Sequence, residues 1–564
     1  MRGPRVRCGI RHGLGLSLRP VPVNPLEDPA AHGFTVKMTP IWKLDPVRVT
    51  GTPFEPGRHR EVVVVGAGLT GLATALMLAR QGRDVAVIEA GEVGELASGA
   101  NTGKLSLLQG SVLSTLRRHH PARLVKAYVE ANADGAQWLT SLADELGVPY
   151  SRRTAYSYAQ TPDGAETVAA ELEAAREAGL PVRRVEPDLL AQSPFPIVDA
   201  VALDRQVAID PQQLLAAMAR AYLEAGGVLH TGVRVTHAHI VPHAGVETSA
   251  GFAAADQVVL ATATPIIDRG LYFAKTRGLR STCVAFATDA PLPEGLYLSV
   301  DGATKSIRSI TPADGPAGAA QLIVGGNGFP VGRAPSPRTC RDDLVAWTQE
   351  HFPGAEPVAA WSAQDYQSHD LIPFVGAMPR GLGRVRFATG YAKWGLSNAP
   401  AAALRIVAEI GKVPRRERPD WMNVISTRFT VPADLARGGV ENARVGWEAA
   451  SGWLGAQAVP APVRRPDEGD GVVANRGGHP VGISTVDGVT RAVSAVCPHL
   501  GGVLRWNDAD RSWDCPLHAS RFTASGQRIE GPALCDLTRL PRVPGEEIED
   551  LDPTASADQP ASAR

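Results

Sequence analysis

The chain has 564 residues, 44% of them hydrophobic and 20% charged, with a formal net charge of −1. At about 150 residues per domain this predicts two to four domains, and it excludes a wholly disordered or fibrous chain. A charge so near zero gives no whole-chain attraction to nucleic acid or to an anionic membrane surface. The aliphatic run Val62–Val65 has the length of a strand, far short of the roughly 20 residues that span a bilayer, so no membrane span is expected. Six cysteines in so long a chain cannot form a disulfide framework, and their spacing is read for metal or redox chemistry instead.

Residues 1–37 carry several Arg and no acid before Glu27, but no apolar core, paired arginines or cleavage site. They are expected to be an early-called start or a disordered extension, with Met38 opening the ordinary sequence. From Glu61 the pattern is strand, tight turn, helix: EVVVV, then GAGLTG at Gly66–Gly71, then LATALMLARQG ending at Gly82. A second strand, DVAVIEA, ends in Glu89. Apolar spacing predicts helices over 122–146 and 165–179. Asp210 as N-cap, Pro211 at the first helical position and Gly226-Gly227 at the end punctuate another. Strand-like VLHTGVRV and QVVLATA follow, so strands and helices alternate, as in an α/β domain. A last helix, AAALRIVAEI, ends at Gly411, and the Pro/Arg-rich 413–465 has the composition of a linker. Residues 466–546 turn to short runs with turns between them, a small all-β domain. The acidic, Ser/Ala/Pro-rich 547–564 is expected to be a disordered tail.

The glycine motif has its full context, because Gly66, Gly68 and Gly71 stand between a strand and a helix. Gly66 permits the turn, Gly68 lets backbone approach a pyrophosphate, and Gly71 allows close packing at a helix amino end that faces phosphates. Glu89, at the end of the next strand, is placed to accept hydrogen bonds from a ribose diol.

Further segments resemble the FAD-dependent D-amino-acid oxidase/glycine oxidase/sarcosine oxidase superfamily over about residues 60–412. ELASGANTGK (Glu95–Lys104) is similar to its small-residue loop over the pyrophosphate, with Ser98, Asn101, Thr102 and Gly103 as the contacts this implies. VAIDPQQLLAAMARAYLEAGGVLHTGVRV resembles a segment in which a Val such as Val233 lies near the adenine. ADQVVLATA is similar to the second strand-turn at the cofactor. HDLIPFVG and FATGYAKWGLSNAPAAA resemble the C-terminal FAD signature, placing Gly390 and Gly395 at the flavin. The resemblance implies a Rossmann-like FAD-binding domain with an inserted mixed-sheet substrate domain over 38–412. It gives no counterpart for a covalent-flavin cysteine, and Cys283 and Cys340 read as buried or incidental thiols.

Two boxes in the β domain carry a second chemistry. CPHLG gives Cys497 and His499, and CPLH gives Cys515 and His518. Two thiolates and two imidazoles are the ligand set of a Rieske [2Fe–2S] centre. A mononuclear zinc site is the other reading, although its usual order groups both Cys before both His. The surroundings VSAVCPHLGG, WDCPLHASRF and ASGQRIEGPA resemble a Rieske domain. Gly502 and Leu517 stand where high-potential members carry a disulfide, Ser520 is placed to donate to a cluster sulfur, and Phe522 stands where a Tyr donor often occurs. Cys535 lies outside both boxes.

The superfamily's usual reaction removes a hydride from the carbon beside an amine. Together the two sites predict an FAD-dependent oxidoreductase acting on an amine or amino acid, with electrons leaving singly through the cluster to an external carrier. The alternative is an electron-transfer adaptor or redox sensor whose flavin serves a protein partner. Lys393 and Trp394, in the GYAKWG turn, and Lys104 are the candidate catalytic residues. Arg308 reads either as a partner for a carboxylate or as an ordinary surface charge. The absence of a visible export signal and the unpaired cysteines predict a cytoplasmic location.

Overall fold

The computed structural model describes residues 27–28, 36–44, 48–186, 188, 193–267, 269–315, 321–427, 432–460 and 463–541. The N-terminal extension and the C-terminal tail expected above therefore lie almost wholly outside the described residues. The fold begins as the apolar pattern dictates. β1 (His59–Val65) is buried along Val62–Val65, α1 (Leu69–Arg80) follows the glycine turn, and β2 (Val85–Ile88) is buried throughout. α2 (Ala97–Ala100) and β3 (Lys104–Leu105) carry the small-residue loop. α3 (Ala122–Glu145), β4 (Tyr150–Ala159), α4 (Gly164–Glu177) and β5 (Asp199–Ile209) come next. α5 (Pro211–Glu224) is capped as its sequence predicts, Asp210 accepting from the Gln212 and Gln213 amides. β6 (Val228–His230) and β7 (Gly251–Leu260) complete the first sheet, whose order is a 235–248 hairpin, then β7, β1, β2 and β6.

A second, larger sheet is inserted between the strands of the first. Its strands are β8 (Thr276–Ala287), β9 (Leu296–Ser299), β10 (Lys305–Ser309), β11 (Leu322–Pro330) and β12 (Glu356–Ser368), joined by the earlier β3, β4 and β5. The order is β12-β8-β11-β10-β9-β4-β5-β3, and it is mixed because β9 runs parallel to β4 while its other neighbours pair antiparallel. α6 (Pro337–His351) packs against β11. The chain then returns to the first sheet with β13 (Val385–Thr389), parallel to β7, and α7 (Gly395–Ile410). The sequence places this helix from Ala401; it starts earlier, at Gly395, and contains Pro400.

The segment read as a linker is not extended. It forms a short helix at Asp420–Val424, anchored by Trp421, whose indole donates to Asp134 at 2.6 Å, and then α8 (Pro432–Gln457). The C-terminal unit is two small antiparallel sheets. One is β14 (Gly471–Arg476), β15 (His479–Val486) and β16 (Val489–Ser494). The other is β17 (Arg505–Asn507), β18 (Ser512–Asp514), β19 (Arg521–Thr523) and β20 (Arg528–Glu530). Among the described residues no helix is long and apolar enough to cross a membrane.

Candidate active site and cluster site

Gly66, Gly68 and Gly71 lie where β1 turns into α1, and Gly68 is the helix N-cap without a side-chain cap. A Cβ on Gly68 would sit 2.9 Å from Ser98 Oγ, and one on Gly71 would collide with the Gly66 carbonyl at 1.9 Å. The turn is therefore a cradle that only bare backbone forms. Ser98 Oγ accepts from the Leu69 amide at 3.0 Å, bringing the small-residue loop over the helix amino end. Glu89 stands beside the turn, accepting from the Ala67 and Gly91 amides at 2.7 and 2.9 Å, and burial raises its carboxyl. The Val233 amide donates to the Glu89 carbonyl, so Val233 borders the same end.

The loop itself is anchored by residues far away in sequence. Asn101 Oδ1 accepts from the Gly103 amide at 2.7 Å. Trp42 donates its indole N–H to the Asn101 carbonyl and Trp361 to the Ala100 carbonyl, each at 2.8 Å. Arg308 is a correction to the surface-charge reading. It is wholly buried and donates to the carbonyls of Thr102 at 3.0 Å and Gly103 at 3.1 Å while pairing with Asp314 at 2.9 Å. No signal in the sequence marks Trp42, Trp361 or Arg308 for this work, because only the tertiary fold brings them to the loop.

The GYAKWG turn connects β13 to α7. Gly390 takes a left-handed φ of +89°, Trp394 is the N-cap residue of α7, and Gly395 opens the helix. The Tyr391 hydroxyl bonds to that of Thr70 at 2.9 Å, tying this turn to the start of α1. The Lys393 side chain is exposed, and crowding by its surroundings lowers its ammonium. A Cβ on Gly328 of β11 would lie 2.7 Å from Lys393 Nζ and 3.2 Å from Ser281 Oγ. Lys104 donates to the Tyr297 carbonyl at 3.0 Å and to the Ser306 hydroxyl. Burial and the neighbouring Arg308 lower its ammonium to about 7. Cys283 feels both lysines: burial pushes its thiol up to about 12 while both ammonium groups pull it back. The cradle, the small-residue loop and the lysine-bearing turn thus converge between the two sheets, which is the arrangement a dinucleotide with a redox-active ring requires.

In the C-terminal unit the two boxes meet. Cys497 and Cys515 are buried and within hydrogen-bond reach, and the bond between them lowers the Cys497 thiol and raises the Cys515 thiol. The His499 and His518 rings lie 5.2 Å apart at 84°. Among the described residues no three of His, Cys, Asp and Glu form a group suited to one metal ion. A thiol pair beside an imidazole pair is the division that a two-iron centre uses. The Ser520 hydroxyl donates to Cys497 and accepts from the Ala533 amide at 3.0 Å, whereas Phe522 is fully buried and offers no donor.

Comparisons with known proteins agree with this geometry. Residues 61–410 match the FAD dependent oxidoreductase family (DAO), and residues 458–541 match the Rieske [2Fe-2S] domain. YhfW of Bacillus subtilis (strain 168), which carries the name Rieske 2Fe-2S iron-sulfur protein, is 27% identical over 85% of this chain and 93% of its own. Among solved structures, glycine oxidase from Geobacillus kaustophilus has a TM-score of 0.54 at 20% identity, covering 66% of this chain and 100% of its own. L-amino acid deaminase from Proteus myxofaciens has a TM-score of 0.53 at 15% identity, covering 68% of this chain and 96% of its own. The chain belongs to the FAD dependent oxidoreductase family and carries a C-terminal Rieske domain, so that its cofactors are FAD and a [2Fe–2S] cluster.

Proposed function

We propose that this oxidoreductase oxidises an amine or amino acid at the carbon bearing nitrogen, and that the electrons leave singly through the Rieske cluster to an external one-electron carrier. The observation that carries the reading is the GYAKWG turn, which the Tyr391 hydroxyl ties to Thr70 at the start of α1 and which brings Lys393 Nζ against Gly328 of β11. FAD supplies the hydride acceptor there. Gly66, Gly68, Gly71 and Ser98 would cradle its phosphates, Glu89 and Val233 would border its adenosine end, and Asn101, Thr102 and Gly103 would meet the stretch between. Gly390 and Gly395 shape the turn facing its ring. The Lys393 ammonium holds a substrate carboxylate, or the negative charge that develops on the ring, by direct charge attraction. Cys497 and Cys515 hold one iron, and His499 and His518 the other. The named activities of the structural neighbours, glycine oxidase and L-amino acid deaminase, support a C–N substrate.

The test is anaerobic mixing of the holoprotein with a panel of amines and amino acids while the flavin absorbance is followed. Bleaching by a small amine supports the reading. A flavin that responds only to a reduced carrier protein replaces it with the electron-transfer adaptor.

A further inference from the structure

Three consecutive residues of β12, Gln364–Tyr366, are gripped from two directions. On one side they hold the lysine-bearing turn, since the Lys393 amide donates to Asp365 Oδ2 at 2.6 Å and the Ala392 amide to the Tyr366 carbonyl at 2.9 Å. On the other they hold the second cluster loop, where Gln364 Nε2 donates to the Ala519 carbonyl at 2.9 Å and Tyr366 packs with Ala519 and Val331. Ala519 directly follows the cluster ligand His518. Further contacts of the cluster site also reach the catalytic unit. Arg333 donates to the Pro516 carbonyl at 2.9 Å, and Phe273 presents its edge to His499 and His518 at 4.9 and 4.8 Å between ring centres. Beside the loop, Arg280 bonds Asp510 at 2.8 Å and Glu530 at 3.3 Å while 2% exposed.

The backbone is shaped to receive this loop. A Cβ on Gly278 of β8 would lie 2.3 Å from the Ala519 Cβ, and one on Gly332 would lie 2.8 Å from the Pro516 nitrogen. Surfaces that merely swing past each other gain nothing from such close fit.

We propose that the Rieske loop Cys515–Ser520 is permanently seated on the catalytic unit and that Gln364 is a positioning residue for electron passage between the flavin site and the cluster. The connection from Lys393 to His518 runs through two hydrogen bonds and the backbone of Gln364–Asp365. This rests on the reading that electrons pass between the two cofactors. Oxidation of an amine releases two electrons and the cluster accepts one, so each turnover needs two passages. A one-electron carrier protein re-oxidises the cluster after each, and the protons go to water.

Two variants of the full holoprotein test the proposal. Gly278→Leu wedges the seat open without touching a charge, and hydrogen–deuterium exchange at 515–520 is expected to rise at least tenfold with the flavin spectrum unchanged. Gln364→Leu removes the amide bridge to Ala519 and, with it, the 3.1 Å bond to the neighbouring Tyr366 hydroxyl. Flavin-to-cluster transfer, followed by stopped flow and by the electron spin resonance signal of the loaded cluster, is expected to slow at least tenfold, while exchange and amine-driven bleaching stay at wild-type values. Light-generated reductant delivers the electrons in a parallel run, so failure of every amine to bleach the flavin defeats the substrate reading and leaves this test standing. Wild-type exchange in Gly278→Leu, or wild-type transfer in Gln364→Leu, overturns the proposal.

Discussion

Replacing Arg308 by Met separates a structural role in the cofactor loop from a role in substrate binding. The guanidinium and its partner Asp314 are both fully buried, and burial lowers Arg308 only to about 10, leaving it charged at neutral pH. Removing one partner of a buried ion pair costs about 3–5 kcal/mol, because the other charge stays desolvated and uncompensated. Asp314 keeps Arg153 at 2.6 Å, which places the expected loss near the low end, about 3 kcal/mol. The carbonyls of Thr102 and Gly103 also lose their donor, so the loop over the cofactor loosens and FAD affinity is expected to fall about tenfold, roughly 1.4 kcal/mol. Urea unfolding followed by circular dichroism measures the first quantity, and flavin fluorescence on dilution measures the second. A single variant that loses less than about 1 kcal/mol and retains FAD like the wild type would refute this account, since the threshold lies well below the buried-pair cost.

Four further outcomes are expected. Cys515→Ser removes one of two thiolates and is expected to abolish the cluster's spin resonance signal while the flavin spectrum persists. Gly68→Val, whose side chain would meet Ser98 Oγ, is expected to do the reverse. Burial lowers the Lys104 ammonium from 10.5 to about 7, so between those values the unfolded chain binds the extra proton and stability rises with pH; Lys104→Met flattens that rise in urea midpoints of the FAD-free chain at pH 7 and 9.5, and an unchanged slope counts against it. With Ser520 as a donor to Cys497 and Phe522 offering none, the cluster potential is expected in the lower part of the roughly −150 to +300 mV Rieske range, and Phe522→Tyr is expected to raise it in voltammetry. A wild-type value near the top contradicts this.

What the sequence made legible was local. The glycine turn, the capped helix at Asp210 and the two Cys/His boxes each declare themselves within a few residues, because their chemistry depends on backbone spacing. The helix α8 was not legible. Its stretch holds Gly438, Gly439, Gly446, Gly452 and Gly455, each unfavourable in a helix interior by about 1 kcal/mol, and its neighbours are rich in Pro and Arg. Tertiary contacts override that composition. Glu441 pairs with Arg333 at 2.7 Å, Glu448 with Arg505 at 2.6 Å, and the Trp453 indole donates to the Gly501 carbonyl at 3.0 Å.

The junction between the two cofactor units escaped for a deeper reason. Nothing in the local sequence marks Arg280, Asp510, Arg521 or Glu530, yet together they form a buried network. Arg521 reaches Asp514 at 3.0 Å, Glu530 at 2.8 Å and Asp510 at 3.2 Å, and Arg280 joins the last two from the other unit. Burial alone would push the Asp510 carboxyl up, but Arg280 and Arg521 hold it below its ordinary value. A purely apolar contact of the same area would tolerate sliding, because dispersion and hydrophobic burial have little directionality. An ionic contact does not, since any other seating strands a desolvated charge at a cost of several kcal/mol. The junction therefore sets orientation more than it adds stability, which is the property that a fixed distance between two redox centres demands.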